Sequence, residues 1–588
     1  MKNLIVTNSH EWFIFDANDF DKKIYRNTAI RNLYQTYKND KKDNKFYYEE
    51  IPKILDNSED EINCTYFNLK DYEKVLFNAD LEDDKNLIEL FKILSPYHLL
   101  KLPFANDSNA LNKPFYDELL HIIGLEEIRT GSKTIIQRKD ESRRTQGSLL
   151  ENAITILKTK DSLRRVKDLS NYGETTEERY FNVALELCIT WINRILFLKL
   201  LEAQLVIYHK GNANYKFLNI FTIPDFDELF TLFHQVLAKT FDDRETHIKE
   251  KYKRVPYLNS SLFEISDLED ATISIESLKD TTPLQFINST VLRDLKNGGK
   301  TLNTLEYLFR FLDAYDFASE GVEDIQADNR SLINASVLGK VFEKINGYKD
   351  GSIFTPSFIT MYMCRQAIRL AVVQKFKDKY EIDIDTFDDL KNFVGNTFKT
   401  EKILEYNALI NGLHLCDPAV GSGHFLVSSL NEIIAIKSEL GLFADETGVR
   451  FSEYQIVIEN DELIISDEKG DIFEYQINDD GKPTAKAQKL QKALFHEKQT
   501  IIENCLFGVD INPNSVKICR LRLWIELLKN AYYKESSGFA ELETLPNIDI
   551  NIKCGNSLLS RFKLDDDLSE VLKTLKYNIE DYKNFVLG

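Results

Sequence analysis

Residues 411–426 read NGLHLCDPAVGSGHFL, and the way this stretch is read decides the fold. A short apolar run of Leu413, Leu415 and Cys416 suits a buried parallel strand, with Asp417 at its end. Pro418, Ala419, Val420, Gly421, Ser422 and Gly423 then turn the chain into an apolar-periodic segment from Phe425 to Leu442, the pattern of a helix. Glycines at a strand-to-helix junction let the backbone approach a ligand closely, so the stretch predicts a nucleotide site. A dinucleotide fold would space three glycines to hold a pyrophosphate on the helix N-terminus. Here an acid leads the turn and would repel phosphate, which suits a ligand with a cationic or hydroxyl-bearing end.

Three further stretches carry the same kind of signal. GSIFTPSFIT (351–360) opens a helix, with Thr355 as N-cap and Pro356 as the favoured first helical residue. LFGVDINP (506–513) is an apolar strand ending in Asp510, followed by Pro513 at a helix start. An acid in that position accepts hydrogen bonds from ribose hydroxyls. The helix after it carries Val516, Cys519, Leu523, Trp524, Leu527 and Leu528 on one face, so Trp524 reads as core, with Arg520 and Arg522 projecting away. IDINIKCGNSLL (548–559) supplies a third strand with Gly555-Asn556-Ser557 at its end.

The complete DPAVGSGHFL string resembles motif I of the N6-adenine DNA methyltransferases, which bind S-adenosylmethionine. With it, TP at 355–356 resembles motif X of the gamma-class amino-methyltransferases, Asp510 stands where motif II has its acid, and Asn556 where motif III has Asp or Asn against the adenine ring. Asn556 both donates and accepts, as the ring edge requires. The resemblance implies a Rossmann-like α/β methyltransferase core, and cofactor contacts from Thr355, Pro356, Asp417, Pro418, Ala419, Gly421, Ser422, Gly423, Phe425, Asp510, Asn512 and Asn556. It implies S-adenosylmethionine as cofactor, double-stranded DNA as partner, and methylation of adenine N6 at a specific site within a bacterial restriction-modification system.

In that family an Asn/Asp-Pro-Pro-Tyr/Phe loop holds the flipped base and polarises its amine. No such string occurs in the 588 residues. The expectation is therefore an incomplete core, with no catalytic residue to assign and the loop and target-recognition domain on a further stretch or a second polypeptide. The alternatives are an inactive fragment, a cofactor-binding subunit, or a methyltransferase acting on RNA or protein.

Outside the core the sequence is less specific. MKNLIVTNSHEWFIFDANDF (1–20) reads as two strands, 4–6 and 12–15, separated by Thr7-Asn8-Ser9. A lone hairpin is marginal in water, so it needs neighbours, which suggests a segment missing upstream. It resembles the closing hairpin of the PD-(D/E)xK nuclease domain of type IIG enzymes. No Asp and Glu-x-Lys pattern precedes it, so magnesium would be needed only by a nuclease domain elsewhere. Residues 39–84 read as solvated helices and loops. YDELLHIIGLEE (116–127) reads as an amphipathic helix. After it Arg129, Lys133, Arg138, Lys139, Arg143 and Arg144 form either a solvated charged face or a phosphate-contacting stripe. From Gly147 to Leu312 the periodicity is helical, with an apolar stripe of Phe181, Ala184, Leu185, Cys188, Ile192, Leu196 and Leu200. This helical connector resembles the linker region of type IIG enzymes. Residues 451–478 alternate like a three-stranded meander inserted between the motifs.

The domain boundaries expected are 1–125 for the nuclease-like remnant, 126–345 for the connector and 346–588 for the methyltransferase part, with the β insertion at about 444–483. Apolar content of 43% and charged content of 29% are those of an ordinary globular protein. The seven cysteines show no metal-ligand spacing, and read as reduced core residues. No metal site is expected. No apolar run of membrane length and no signal-peptide pattern occurs, which places the protein in the cytoplasm with no membrane contact. The net charge of −20 requires any DNA contact to be local.

Overall fold

The computed structural model describes residues 3–40, 43–56, 64–77, 87–95, 99, 112–130, 133–258, 261–292, 301–317, 333, 335–346, 355–395, 399–459, 461–478, 480–546, 548 and 551–559. The expectations placed on 351–354, on the side chains of Arg129 and Lys133 and on the stretch after 559 lie outside them. Two compact units divide the chain near residue 104.

In the first unit the expected hairpin forms. Strand β1 (Asn3–Thr7) pairs antiparallel with β2 (Glu11–Asp16), Asn3 opposite Asp16. The Asn8 side chain closes the turn by accepting from the His10 and Glu11 N–H groups. Helices α1 (Thr28–Asn39) and α2 (Asn44–Asp56) follow. The neighbour the hairpin needs comes from within the chain: β3 (Cys64–Asn68) pairs with the far side of β2, Glu11 opposite Asn68. This strand corrects the reading of 39–84 as helices and loops. CTYFN is too short to show a period, and only pairing with β2 makes it a strand. Ile14 and Phe67 bury against Leu87, Leu90 and Ile93.

The second unit begins with α3 (Lys113–Ile123), capped by Asn112. The helix expected through Glu127 stops four residues sooner, because Gly124 turns left-handed at φ +106°. Strand β4 (Leu125–Thr130) then pairs with β5 (Lys133–Arg138). Most of the described side chains of the basic run are paired within the fold. Arg138 grips Glu151 in a bidentate pair, Arg143 bonds Glu126 and Asp140, and Lys139 reaches His121. These pairs favour the charged-face alternative over a phosphate stripe.

Helix α4 (Leu149–Lys160) leads to α5 (Thr176–Tyr208), whose start carries a Thr175/Glu178 capping box. The predicted stripe is buried apart from a half-buried Phe181. Every residue from Trp191 to Leu201 is buried, so α5 is the axis of the connector rather than a surface helix. Burying Arg194 in that axis requires a partner. Glu269 accepts from both Arg194 Nη atoms at 2.7 and 2.8 Å and from Trp191 Nε1 at 2.8 Å.

Then come α6 (Ala335–Asn346), α7 (Ser357–Tyr380), β6 (Leu415–Asp417), α8 (His424–Glu439), the hairpin β7 (Tyr454–Glu459) and β8 (Glu462–Asp467), α9 (Ala485–Asn504), β9 (Leu506–Asp510), α10 (Pro513–Leu528) and β10 (Ile552–Cys554). Strands β10, β9 and β6 form one parallel sheet in that order. Gly508 lies opposite both Asp417 and Ile552, and Asp510 opposite Cys554. Between the strands run the crossover helices that parallel pairing demands. Strand β6 is parallel as expected but is the edge among the described residues, with Cys416 exposed rather than buried.

The insertion is a two-stranded hairpin, not a three-stranded meander. Its third segment touches β8 only near Ile472 and Phe473. Ile477 then donates its N–H to the Tyr208 carbonyl at the end of α5, which draws the segment away from the hairpin. Cys64, Cys416 and Cys554 are exposed, so only the other four cysteines are core residues; all seven are free thiols. Among the described residues no helix is long and apolar enough to cross a membrane.

Candidate functional site

The three parallel strands end side by side, and each end carries one of the sequence-predicted polar residues. Asp417 ends β6, Asp510 ends β9, and Asn556 follows β10 by two residues. Backbone bonds tie the ends together: Val420 donates to the Val509 carbonyl at 2.9 Å, and Gly555 to the Asp510 carbonyl at 2.9 Å. The Asp510 carboxylate staples the Gly-rich turn to the second strand. Its Oδ2 accepts from the Gly421 N–H at 2.8 Å and its Oδ1 from the Asn512 N–H at 2.8 Å. Each oxygen keeps a lone pair for a further donor.

Asp417 accepts from the Ala419 N–H at 3.0 Å. Burial, and then the nearby Asp510 charge, push its carboxyl above the usual range. Two half-buried acids this close make the edge electronegative, so it favours a cation and disfavours a phosphate. Pro418 and Ala419 are exposed beside them. Asn556 is exposed, with its Oδ1 taking the Leu558 N–H, and among the described residues no atom lies within 4 Å of where a side chain on Gly555 would begin. Asn512 caps α10 through the Asn514 N–H, so its side chain is already used by the fold.

The turn's other face is built for packing. Gly421 and Gly423 are left-handed, at φ +53° and +85°. A Cβ on Gly423 would sit 2.7 Å from Cys519 Sγ of α10, so a neighbouring helix by itself requires this glycine. Gly508 is needed for the same reason: its Cβ would meet Val420 Cγ2 at 2.8 Å.

Ser422 also points inward. Its hydroxyl donates to Glu343 of α6, and Arg522 of α10 reaches the Ser422 carbonyl and hydroxyl at 3.4 Å. Arg522 thus corrects one expectation, since it is buried under the turn rather than projecting away, and the Ser422 hydroxyl is engaged by Glu343. Arg520 likewise turns in, donating to the Ile552 carbonyl. His424 Nε2 meets the same Glu343 oxygen. Burial would raise the Glu343 carboxyl, but His424 and Arg522 bring it below the ordinary range. Burial, then Arg522, hold His424 below the ordinary imidazole range against the pull of Glu343. Glu343 and Arg522 were missed because α6 gives no motif and Arg522 lies on a helix read only for its apolar face.

Helix α7 runs parallel to α8: Thr360 Oγ1 meets Ser428 Oγ at 2.9 Å, and further along Arg369 pairs with Glu432 and Glu439. Thr355 and Pro356, just before α7, therefore lie toward the turn end of α8. The cap is one residue later than expected: Pro356 is the N-cap, and no side chain makes a capping bond. Phe425 is half-buried, and its carbonyl accepts from Cys364 Sγ. Ile511, which the sequence did not single out, stands between Asp510 and Asn512 with 70% of its surface exposed.

Two family models cover the part of the chain before the turn, each described as a domain of unknown function: DUF7149 over residues 1–107 and DUF7814 over residues 108–333. Over 602 aligned residues the chain is 24% identical to a Methanocaldococcus jannaschii protein named "Putative type II restriction enzyme and methyltransferase". That similarity takes in 96% of this chain and 40% of the relative. The type IIL restriction-modification enzyme MmeI, solved in complex with DNA, matches with a TM-score of 0.32 at 18% identity, over 72% of this chain and 41% of that one. The chain thus spans about two-fifths of the length of these proteins.

Proposed function

We propose that this chain supplies the S-adenosylmethionine-binding part of a DNA adenine-N6 methyltransferase in a restriction-modification system. The observation that carries the reading is the meeting of Asp417, Asp510 and Asn556 at adjacent parallel strand ends around one Gly-rich turn. On this reading the Asp417 side faces the charged amino-acid end of the cofactor, and the remaining lone pairs of Asp510 take the ribose hydroxyls. Exposed Ile511 packs on the adenine, whose polar edge Asn556 reads. The cofactor supplies an activated methyl group; the chain's own residues bind and orient it. Thr355 lies at the correct end of α7 to approach the same ligand. Similarity along nearly the whole chain to a protein named restriction enzyme and methyltransferase supports DNA as the partner.

The test combines this chain with a polypeptide bearing an Asn-Pro-Pro-Tyr segment, a DNA duplex and cofactor labelled in the methyl group. Label in N6-methyladenine is the expected result. Label only in cytosine, RNA or protein refutes the adenine reading. Cofactor binding by the chain without transfer in any combination favours the cofactor-binding subunit instead.

A further inference from the structure

The insertion hairpin places a buried acid against the helix that follows the Gly-rich turn. Asp461, between β7 and β8, holds φ +69° and is 3% exposed. Its carbonyl accepts from Asn431 Nδ2 of α8 at 2.6 Å. Two oxygens there lack a hydrogen-bond partner among the described residues: Asp461 Oδ1 and Asn431 Oδ1. Both are acceptors when the acid is ionised, and burying unpaired acceptors is costly. A protonated carboxyl carries no charge to bury and has an O–H to give, so protonation lowers the cost of the unpaired Asp461 oxygen. Ser428, which hydrogen-bonds the same carboxyl and favours its ionised form against burial, bonds Thr360 of α7, the helix that Thr355 precedes.

We propose that Asp461 is a positioning residue: as the neutral acid it seats the hairpin on α8, and its ionisation loosens the α8 to α7 contact that sets Thr355 over the turn. The proposal rests on reading the turn as a cofactor pocket. Its surroundings agree with it. From α8 the acid faces the uncharged Ser428 and Asn431. The cation that acts on it, Arg522 of α10, is engaged with Ser422 and Glu343. Glu462 of the hairpin and Glu526 of α10 add negative charge, and Cys364 of α7 feels the acid from the other side. Burial accordingly pushes the Asp461 carboxyl up to about 7.

A carboxyl raised on folding binds its proton more tightly in the folded state, so stability falls as pH rises from the ordinary carboxylate range to about 7 and is flat above. Asp461→Asn keeps the shape and suits the left-handed backbone, so it folds. Thermal unfolding of the full chain and its variant at pH 5.5 and 8 should show the wild type losing several degrees more than Asp461→Asn over that interval. Calorimetric binding of S-adenosylmethionine should weaken on the order of fivefold over the same interval in the wild type and stay level in the variant. Parallel unfolding profiles overturn the proposal. So does wild-type cofactor binding that is indifferent to pH while the unfolding profiles differ, a result that leaves the cofactor reading intact. Absence of cofactor binding at every pH fails that reading and this inference together.

Discussion

Replacing Gly423 by Ala tests whether the Gly-rich turn is held by its packing against α10. Two costs follow from the geometry. A non-glycine residue in the left-handed region at φ +85° costs about 1–2 kcal/mol. The new Cβ, 2.7 Å from Cys519 Sγ, overpacks a closed contact at about 1–3 kcal/mol. Together they give about 2–5 kcal/mol, a fall in Tm of roughly 4–10 °C at about 2 °C per kcal/mol for a unit of this size. The two costs separate in a double-mutant cycle. Cys519→Ala removes the sulfur and leaves its Cβ at 3.5 Å from the new atom, so the pair of changes should recover the overpacking share and leave the backbone share. Thermal unfolding of wild type, both single variants and the double variant reads all four corners. A Gly423→Ala protein within 1 °C of wild type, or no recovery in the double variant, refutes the packing argument.

Other outcomes follow from single contacts. Glu269→Gln leaves Arg194 buried without its counter-charge and should cost about 3–5 kcal/mol, read as a lower Tm. Burial would raise the Glu269 carboxyl, but Arg194 holds it at about 2. Its contribution is therefore full above the ordinary carboxylate range and is lost as pH falls toward 2, so the gap between wild type and Glu269→Gln should narrow below pH 4. Ser422→Ala removes a buried donor to Glu343 at about 1–2 kcal/mol and should leave cofactor affinity nearly unchanged, because the hydroxyl faces inward. Arg143→Ala removes the ion pairs that the exposed Arg143 makes with Glu126 and Asp140, and should leave Tm and DNA affinity essentially unchanged.

What the sequence disclosed was local and periodic. The strand-turn-helix at 411–426, the strands ending at Asp510 and before Asn556, the capped helices of the connector and the first hairpin each carry their signal within about a dozen residues. What it hid was decided by contacts between distant segments. β3 becomes a strand only because β2 offers an edge, and the third stretch of the insertion is drawn off by the Tyr208 carbonyl at the end of α5. Glu343 and Arg522 lie far apart in sequence yet meet beneath Ser422, where no motif announces them. Gly423 was legible as a glycine that the turn requires. Its reason, the sulfur of Cys519, was not. The charged run at 129–144 likewise reads as a basic patch until Glu126 and Glu151 are seen to answer it.

The central claim is that Asp417 and Asp510 bound one pocket for a sulfonium nucleoside, and calorimetric titration of the chain with S-adenosylmethionine measures this most directly. Binding in the wild type and a loss of about 10–150-fold in Asp417→Ala, the worth of one charged hydrogen bond at about 1.5–3 kcal/mol, is the predicted result. Asp510→Ala should bind more weakly still, because it also frees the Gly421 N–H. No heat of binding in the wild type, or equal affinity in all three proteins, would contradict the account.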